Sequence, residues 1–214
     1  VGMLARRESW GTKLPQVTDD DVSNERIRGR LEAARTQLVA AHLATLLRAF
    51  PRELMTDAAA VAREAAVALA ASGAESPLTV WLDQQDLPGD DPGDVPLWLG
   101  LATLLLTETG APRKRFDSKL GVPPGADGKA LKTRAEAVAS TLVPHTELNE
   151  RLHAVRRLPD RFYSAAEWNV LQSQLVVLRL AAAELEIVFA ERRAADYPRF
   201  AAAALQALGA EDAP

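Results

Sequence analysis

The sequence has no cysteine and only three histidines, which limits the chemistry available to the chain. Without cysteine there is no disulfide and no thiolate metal site. The histidines, His42, His145 and His153, are too few and too scattered for a metal cluster. We therefore expect no metal ligands in this chain.

Long apolar runs are also missing. No stretch approaches the roughly 20 apolar residues that a membrane span requires, and the opening "VGMLARRESW" lacks the apolar core of a signal peptide. The formal net charge is −4, so no global positive field attracts nucleic acid, although a local basic patch can still bind phosphate. These features predict a cytoplasmic protein without a membrane partner.

Common catalytic signatures are absent from the sequence. There is no nucleophile elbow, HExxH zinc motif, GxGxxG turn or EF-hand loop. The nearest match to a phosphate-binding loop is "GVPPGADGKA" at 121–130, but Pro123 stands where the first glycine belongs and Ala130 replaces the hydroxyl residue. We predict no catalytic residue and no residue that binds a nucleotide or another cofactor.

Strict apolar–polar alternation is rare, and apolar residues recur instead at steps of three and four. The predicted fold class is therefore all-α: an irregular multi-helix array with two long loops and one long helix in the C-terminal half. With 214 residues and 48% hydrophobic content, the chain can bury a substantial core. We expect residues 1–214 to form a single helical subdomain with an irregular lead-in at 1–20.

Capping residues and helix breakers define the expected boundaries. Ser76 and Pro77 form an N-cap and first-turn pair, Ser164 and Glu167 form a capping box, and Asp196 is an N-cap before a short terminal helix. The predicted helices cover about 22–49, 52–71, 76–85, 96–107, 128–142, 146–157, 165–192 and 200–208.

Two irregular segments separate these helices. The first, "DLPGDDPGDVP", carries Asp90, Asp91 and Asp94 and could bind calcium loosely. It lacks regular ligand spacing and a carboxylate at the twelfth position of the loop, so a solvated acidic loop is the preferred interpretation. The second irregular segment, "ETGAPRKRFDSKLGVPPGADGK", is basic instead of acidic.

Between residues 113 and 134, seven basic residues stand against Asp117 and Asp127. Basic loops can neutralise phosphates without reading base sequence. The alternative is that surface loops of arginine-rich proteins are often basic without binding anything. A second basic cluster consists of Arg151, Arg156, Arg157 and Arg161. The candidate DNA-binding residues are Arg113, Lys114, Arg115, Lys119, Lys129 and Lys132.

Two segments carry a family resemblance: "LATLLLTETGAPRKRF" and, further on, "LPDRFYSAAEWNVLQSQLVVLRLAAAELEIVFAERRAADYPRFAAAALQALG". In order and spacing they resemble the UvrD-like superfamily 1 DNA helicases, and within them the RecB-like and AddA-type subunits of helicase–nuclease complexes. The resemblance covers about residues 97–209. The matching residues are Leu106, Thr107, Gly110, Arg113, Lys114, Pro159, Tyr163, Ser164, Trp168, Phe189, Asp196 and Tyr197.

The resemblance implies that the chain is a helical insertion, subdomain 1B, excised from an ATP-dependent DNA helicase that acts in double-strand break repair and recombination. The family's Walker A and Walker B motifs are not in this sequence, so the isolated chain should not hydrolyse ATP. ATP and Mg²⁺ would belong to the parent protein, with or without a nuclease domain. The implied partners are DNA, the ATPase core of the same polypeptide and a second helicase–nuclease subunit.

Other interpretations stay open. A stand-alone helical module could bind or regulate a protein partner through apolar faces, and such association should be insensitive to salt. An enzyme with an unrecognised site has little support, because no convergent acid–base pair is visible. Trp168 could stack on a base, but it starts the apolar stripe of the long helix, so we predict core packing for it.

Overall fold

The computed structural model describes residues 21–193 and residue 200, and this part of the chain is all-α, as the periodicity predicts. No strand occurs among these residues, and only an isolated bridge pairs Leu106 with Pro112. Within residues 21–193 there are six α-helices: α1 (Asp21–Ala49), α2 (Arg52–Ser72), α3 (Val95–Leu105), α4 (Ala126–Thr141), α5 (Thr146–Ala154) and α6 (Ala165–Glu191).

Some of the predicted features fall outside the described residues. These are the lead-in at 1–20, the cap at Asp196 and positions 201–208 of the terminal helix. Phe200 is described: it is helical and its side chain is 70% exposed. Among the described helices, none combines the length and the apolar composition that are needed to cross a bilayer.

Contacts divide the chain into two units. The first unit is Ala33–Arg161, which holds the greater part of α1 and all of α2 to α5. The second unit joins Val1–Glu32 to Phe162–Pro214 and holds the first turns of α1 and all of α6.

The predicted helix at 76–85 is wrong, because the chain forms only a short 3₁₀ helix there, Pro77–Trp81. Ser76 does cap it, since its hydroxyl oxygen accepts the Leu78 amide at 3.2 Å. Leu78 and Trp81 are both fully buried, and residues three apart lie on one face of a 3₁₀ helix. Burial of these two side chains therefore favours the tighter helix.

Arg63 of α2 explains why the helix does not continue. Its Nε donates to the carbonyl of Gln84 and its Nη2 to that of Gln85, each at 2.7 Å. Pro88, four residues after Gln84, has no N–H with which to continue an α-helix. The guanidinium also lies 5.7 Å from the centroid of the Trp81 ring. The backbone carbonyls of Gln84 and Gln85 therefore accept hydrogen bonds from an arginine of α2 and not from a continued helix.

The core of the first unit is built around α3. Trp81 Nε1 donates to the carbonyl of Leu97 at 3.1 Å, and its indole lies directly against Gly100, where a Cβ would come within 2.6 Å of Nε1. Trp98 packs against Phe50 with ring centroids 5.7 Å apart. Both tryptophans are fully buried. The predicted helix at 96–107 is confirmed as α3.

Helix α6 begins at the predicted capping box. The hydroxyl oxygen of Ser164 accepts the Glu167 amide at 3.2 Å, and a Glu167 carboxylate oxygen accepts the Ser164 amide at 2.8 Å. Trp168 and Leu175 are buried, so core packing of Trp168 is confirmed. The rest of the apolar stripe is only half-buried: Leu171, Leu178, Ala182, Leu185 and Phe189.

Within the second unit, Arg28 and Glu32 tie the start of α1 to the start of α6. Arg28 Nη2 donates to the carbonyl of Tyr163 at 2.5 Å, and its Nε lies 2.9 Å from Glu32. The same carboxylate accepts the Tyr163 amide at 2.9 Å. The Arg28 guanidinium carbon lies 5.9 Å from the centroid of the Trp168 ring, and the centroid of the Tyr163 ring lies 5.8 Å from it. The indole therefore already packs against groups of the protein.

Candidate nucleic-acid interface

The basic segment, residues 113–132, begins where the chain turns back after α3. Arg113 donates its backbone N–H to the carbonyl of Leu105 at 2.8 Å, and Thr107 donates to Ala111 at 2.8 Å. Gly110 takes the turn at φ +86°, a left-handed conformation that glycine adopts without strain. The first residue of the segment is thus hydrogen-bonded to the end of a buried helix.

Arg113 is partly used by the fold. Its Nε donates to the carbonyl of Thr103 at 3.1 Å, and the residue is half-buried. A guanidinium that serves a helix carbonyl has fewer N–H groups left for a phosphate. Arg113 is therefore the weakest of the six predicted DNA contacts.

Arg156 also binds the end of α3, a role that sequence reasoning did not assign to it. Its Nη1 donates to the carbonyl of Thr107 at 2.7 Å, and its Nη2 donates to Ala102 at 2.8 Å and Leu106 at 3.0 Å. A helix C-terminus leaves carbonyls without intrahelical donors, and α3 has no basic residue in its own last turn. The sequence shows that this cation is missing, but not which distant residue binds the carbonyls.

The environment of Arg156 alters its proton affinity. Burial lowers the pKa of its guanidinium, the positive charge of Arg113 lowers it further, and Glu108 opposes both effects. Arginine normally titrates far above neutral pH, so the group carries its charge under ordinary conditions. Two guanidinium groups therefore meet at one helix end, where the carbonyl dipoles favour positive charge.

Phe116 anchors the middle of the basic segment, because it is only 4% exposed and belongs to the core of the first unit. The next residue forms a turn: Asp117 Oδ1 accepts the Lys119 amide at 3.0 Å, and its carbonyl accepts the amides of Leu120 and Val122, each at 3.0 Å. The segment is thus an ordered turn with cations on either side of a buried phenylalanine.

The candidate cations differ in whether they have an acidic partner. Lys132 lies 3.9 Å from Glu136, and the neighbouring Arg134 donates to Glu64 at 2.6 Å. The other exposed candidates make no ion pair with any described carboxylate. These unpaired cations are Lys114, Arg115, Lys119 and Lys129.

Lys129 and Lys132 line a cleft of ≈ 460 Å³ at the start of α4. The cleft coincides with the "GVPPGADGKA" segment. Gly125 has φ +86°, and Gly128 is packed so tightly that a Cβ would overlap the carbonyl of Pro123. In the described part of the chain no strand precedes this loop, so the arrangement differs from a nucleotide-binding P-loop.

The second basic cluster is largely engaged with the fold. Arg151 donates to Glu147 at 2.6 Å, and Arg161 lies 4.0 Å from Asp91. Arg157 is exposed. With Arg156 held at the end of α3, this cluster contributes fewer available charges than its composition indicates.

Two of the histidines have partners that the sequence did not reveal. His42 Nε2 donates to the carbonyl of Arg151 at 3.0 Å, and His153 Nε2 donates to that of Glu108 at 2.8 Å. Among the described residues, no three His, Asp or Glu side chains come together in a way that could hold a metal ion.

Helix α6 exposes a row of apolar side chains on the face opposite Trp168 and Leu175. These residues recur at helical spacing, and each is more than half exposed. A cleft of ≈ 680 Å³ lies along the same face. The exposed row is Val170 (57%), Val177 (62%), Leu180 (64%) and Ile187 (51%).

Comparison with known proteins produced no relative: no family model, curated protein or solved structure matches the chain. The all-α fold is established by the structure itself. The resemblance to superfamily 1 helicases stays a prediction that depends on the residues of the two quoted segments.

Proposed function

We propose that the chain is a DNA-guiding helical subdomain of an ATP-dependent DNA helicase that acts in double-strand break repair and recombination. The observation that carries this proposal is the group of exposed cations Lys114, Arg115 and Lys119, which have no described carboxylate partner and lie on an ordered turn. Cations that the fold does not use are available to neutralise phosphates. The family resemblance adds the helicase context.

In this proposal the nucleotide chemistry belongs to the ATPase core of the parent polypeptide, together with ATP and Mg²⁺. The contribution of this chain is contact with the DNA backbone, which positions DNA but carries no sequence information. A second helicase–nuclease subunit is a further proposed partner.

The distribution of charge around α3 supports an oriented contact with DNA. The acidic loop, residues 83–94, carries five aspartates and no basic residue, and it precedes α3. The basic segment follows α3. An 11-residue helix is about 16 Å long, so the acidic loop enters α3 at one end and the turn into the basic segment leaves it at the other. A polyanion is attracted to the basic end and repelled from the acidic end.

The test is a salt titration of DNA binding by the variant Lys114→Gln/Arg115→Gln/Lys119→Gln. A fluorescently labelled single strand is titrated with protein at several salt concentrations. We expect wild-type affinity to fall steeply with salt, and the variant to bind more weakly with a slope of log K against log[salt] that is smaller by about 2 to 3.

A matched control removes the same charge elsewhere, through Arg26→Gln/Arg30→Gln/Arg52→Gln, all at exposed positions. If both triple variants lose affinity equally, net charge and not the basic segment controls binding. If the basic-segment variant binds like wild type, the proposed interface is wrong.

The second candidate function is a protein-interaction module, which the exposed apolar row of α6 favours. Contiguous apolar surface of this kind is typical of interfaces. In a helicase, the ATPase core of the parent polypeptide is the partner that we propose for it. The two functions differ in their response to salt, because apolar association does not weaken as salt rises.

A further inference from the structure

Five backbone carbonyls at the end of α3 and in the turn after it accept hydrogen bonds from three side chains. Arg156 binds three of these carbonyls, and Arg113 and His153 bind one each. The carbonyls belong to Ala102, Thr103, Leu106, Thr107 and Glu108. Side-chain hydrogen bonds therefore fix most of the backbone carbonyls from Ala102 to Glu108, where the chain leaves α3 and turns toward the basic segment.

Arg156 makes most of these hydrogen bonds, and all of them are long-range in sequence. Arg156 lies 49 residues beyond Thr107, in the 3₁₀ turn Val155–Arg157 that follows α5. Leu106 is fully buried, so its carbonyl would lose its arginine donor without ready access to water if Arg156 were removed. The guanidinium therefore joins two distant parts of the first unit at the base of the turn.

We infer that Arg156 is a positioning residue for DNA binding, a role that rests on the proposed function. It fixes the turn from which Lys114 and Arg115 extend, and its own N–H groups are directed at carbonyls. Lys114 directly follows Arg113, whose amide is bonded to Leu105. Cations on a backbone that is already ordered lose less conformational freedom when they bind phosphate.

Arg156→Lys separates the charge of this residue from its geometry. A lysine keeps one positive charge, but its single ammonium cannot reproduce the planar fork that spans three carbonyls. Hydrogen–deuterium exchange should therefore increase at the amides of Thr107 and Arg113, whose acceptors are Ala111 in the turn and Leu105 at the last residue of α3. Amides in the middle of α3 should exchange as in wild type.

The DNA titration gives the second readout. We expect Arg156→Lys to weaken DNA binding by about three- to tenfold at fixed salt, because the turn must be ordered on binding. The salt slope should not change, because the same phosphates are neutralised. Arg157→Lys is the control: this neighbour is exposed, and no hydrogen bond of its side chain occurs in the described structure, so neither readout should change.

Wild-type affinity together with wild-type exchange in Arg156→Lys would overturn the inference. In Arg156→Gln, which removes the charge, a slope reduced by about one would also overturn it, since Arg156 would then neutralise a phosphate directly. If Arg156→Lys unfolds in a thermal melt, His153→Leu replaces it. That variant removes only the bond to the Glu108 carbonyl, and we expect the same pattern with a smaller effect.

The proposed function can fail separately. If Lys114→Gln/Arg115→Gln leaves DNA binding unchanged, the basic segment is not the interface, even where Arg156→Lys accelerates exchange in the turn. In that case Arg156 has only a structural role, and the positioning inference is rejected together with the interface.

Discussion

The acidic loop and the basic segment flank the same helix, yet their charged side chains are used differently. In the acidic loop, Asp91 accepts the Gly93 amide at 2.6 Å and Asp94 accepts the Gly89 amide at 2.7 Å. These carboxylates hold the backbone of their own loop. In the basic segment the backbone is held by Phe116, by main-chain bonds and by the Asp117 carboxylate, whereas most of the cations extend into solvent. Charges that do not maintain the fold are the ones available to a partner.

Because the cations of the basic segment do little to hold its backbone, we expect its stability to depend on close packing of that backbone against the helices. Gly121 has φ +75°, and a Cβ there would overlap the backbone of Ala65 in α2. Gly121→Ala should lower the free energy of unfolding by about 3 kcal/mol or more, because left-handed strain adds to a clash with atoms that cannot rotate away. Urea unfolding followed by circular dichroism measures the change.

Gly73→Ala is the matched control for this substitution. Gly73 has φ +69°, but no atom lies within 4 Å of the position of its Cβ. Only backbone strain remains, so we expect a loss of about 1 kcal/mol. Equal losses for the two variants would show that the contact with α2 does not hold the basic segment.

Loss of a carboxylate that binds the backbone of the acidic loop should lower the free energy of unfolding. Asp94→Ala removes the acceptor of the Gly89 amide and should cost about 1 kcal/mol of stability. Asp90→Ala, at an exposed position without a described hydrogen bond, should change stability by less than about 0.5 kcal/mol. If the two substitutions have the same effect in urea unfolding, the acidic loop is merely solvated, as its composition alone suggests.

The sequence predicted the helices well, because their signals are local. The capping box at Ser164 and the apolar run of α3 lie where the periodicity places them. The error at 76–85 arose because its cause is tertiary: Arg63 binds carbonyls more than 20 residues away. A local pattern cannot show which side chain will take a distant carbonyl.

The same reason limits what the sequence says about the site. Composition identified the basic run between residues 113 and 134 as a candidate interface. It could not separate Lys114, which is exposed and unpaired among the described residues, from Arg113, which serves the Thr103 carbonyl. It also gave no sign that Arg156 closes the helix end, because that contact forms only when α5 packs beside α3.

We expect the smallest effect on stability and on DNA binding when an arginine is released from its carboxylate partner. Arg134 pairs with Glu64 at 2.6 Å, with side chains 45% and 53% exposed. Because such exposed pairs contribute little, Glu64→Gln should cost less than about 1 kcal/mol of stability. It should strengthen DNA binding by about two- to threefold, with a salt slope steeper by less than about one, because Arg134 becomes available to a phosphate.

Glu75→Gln is the control, because it makes the same charge change at an exposed position without a described partner. An equal gain in affinity there would mean that DNA binding follows net charge and not the release of a particular arginine.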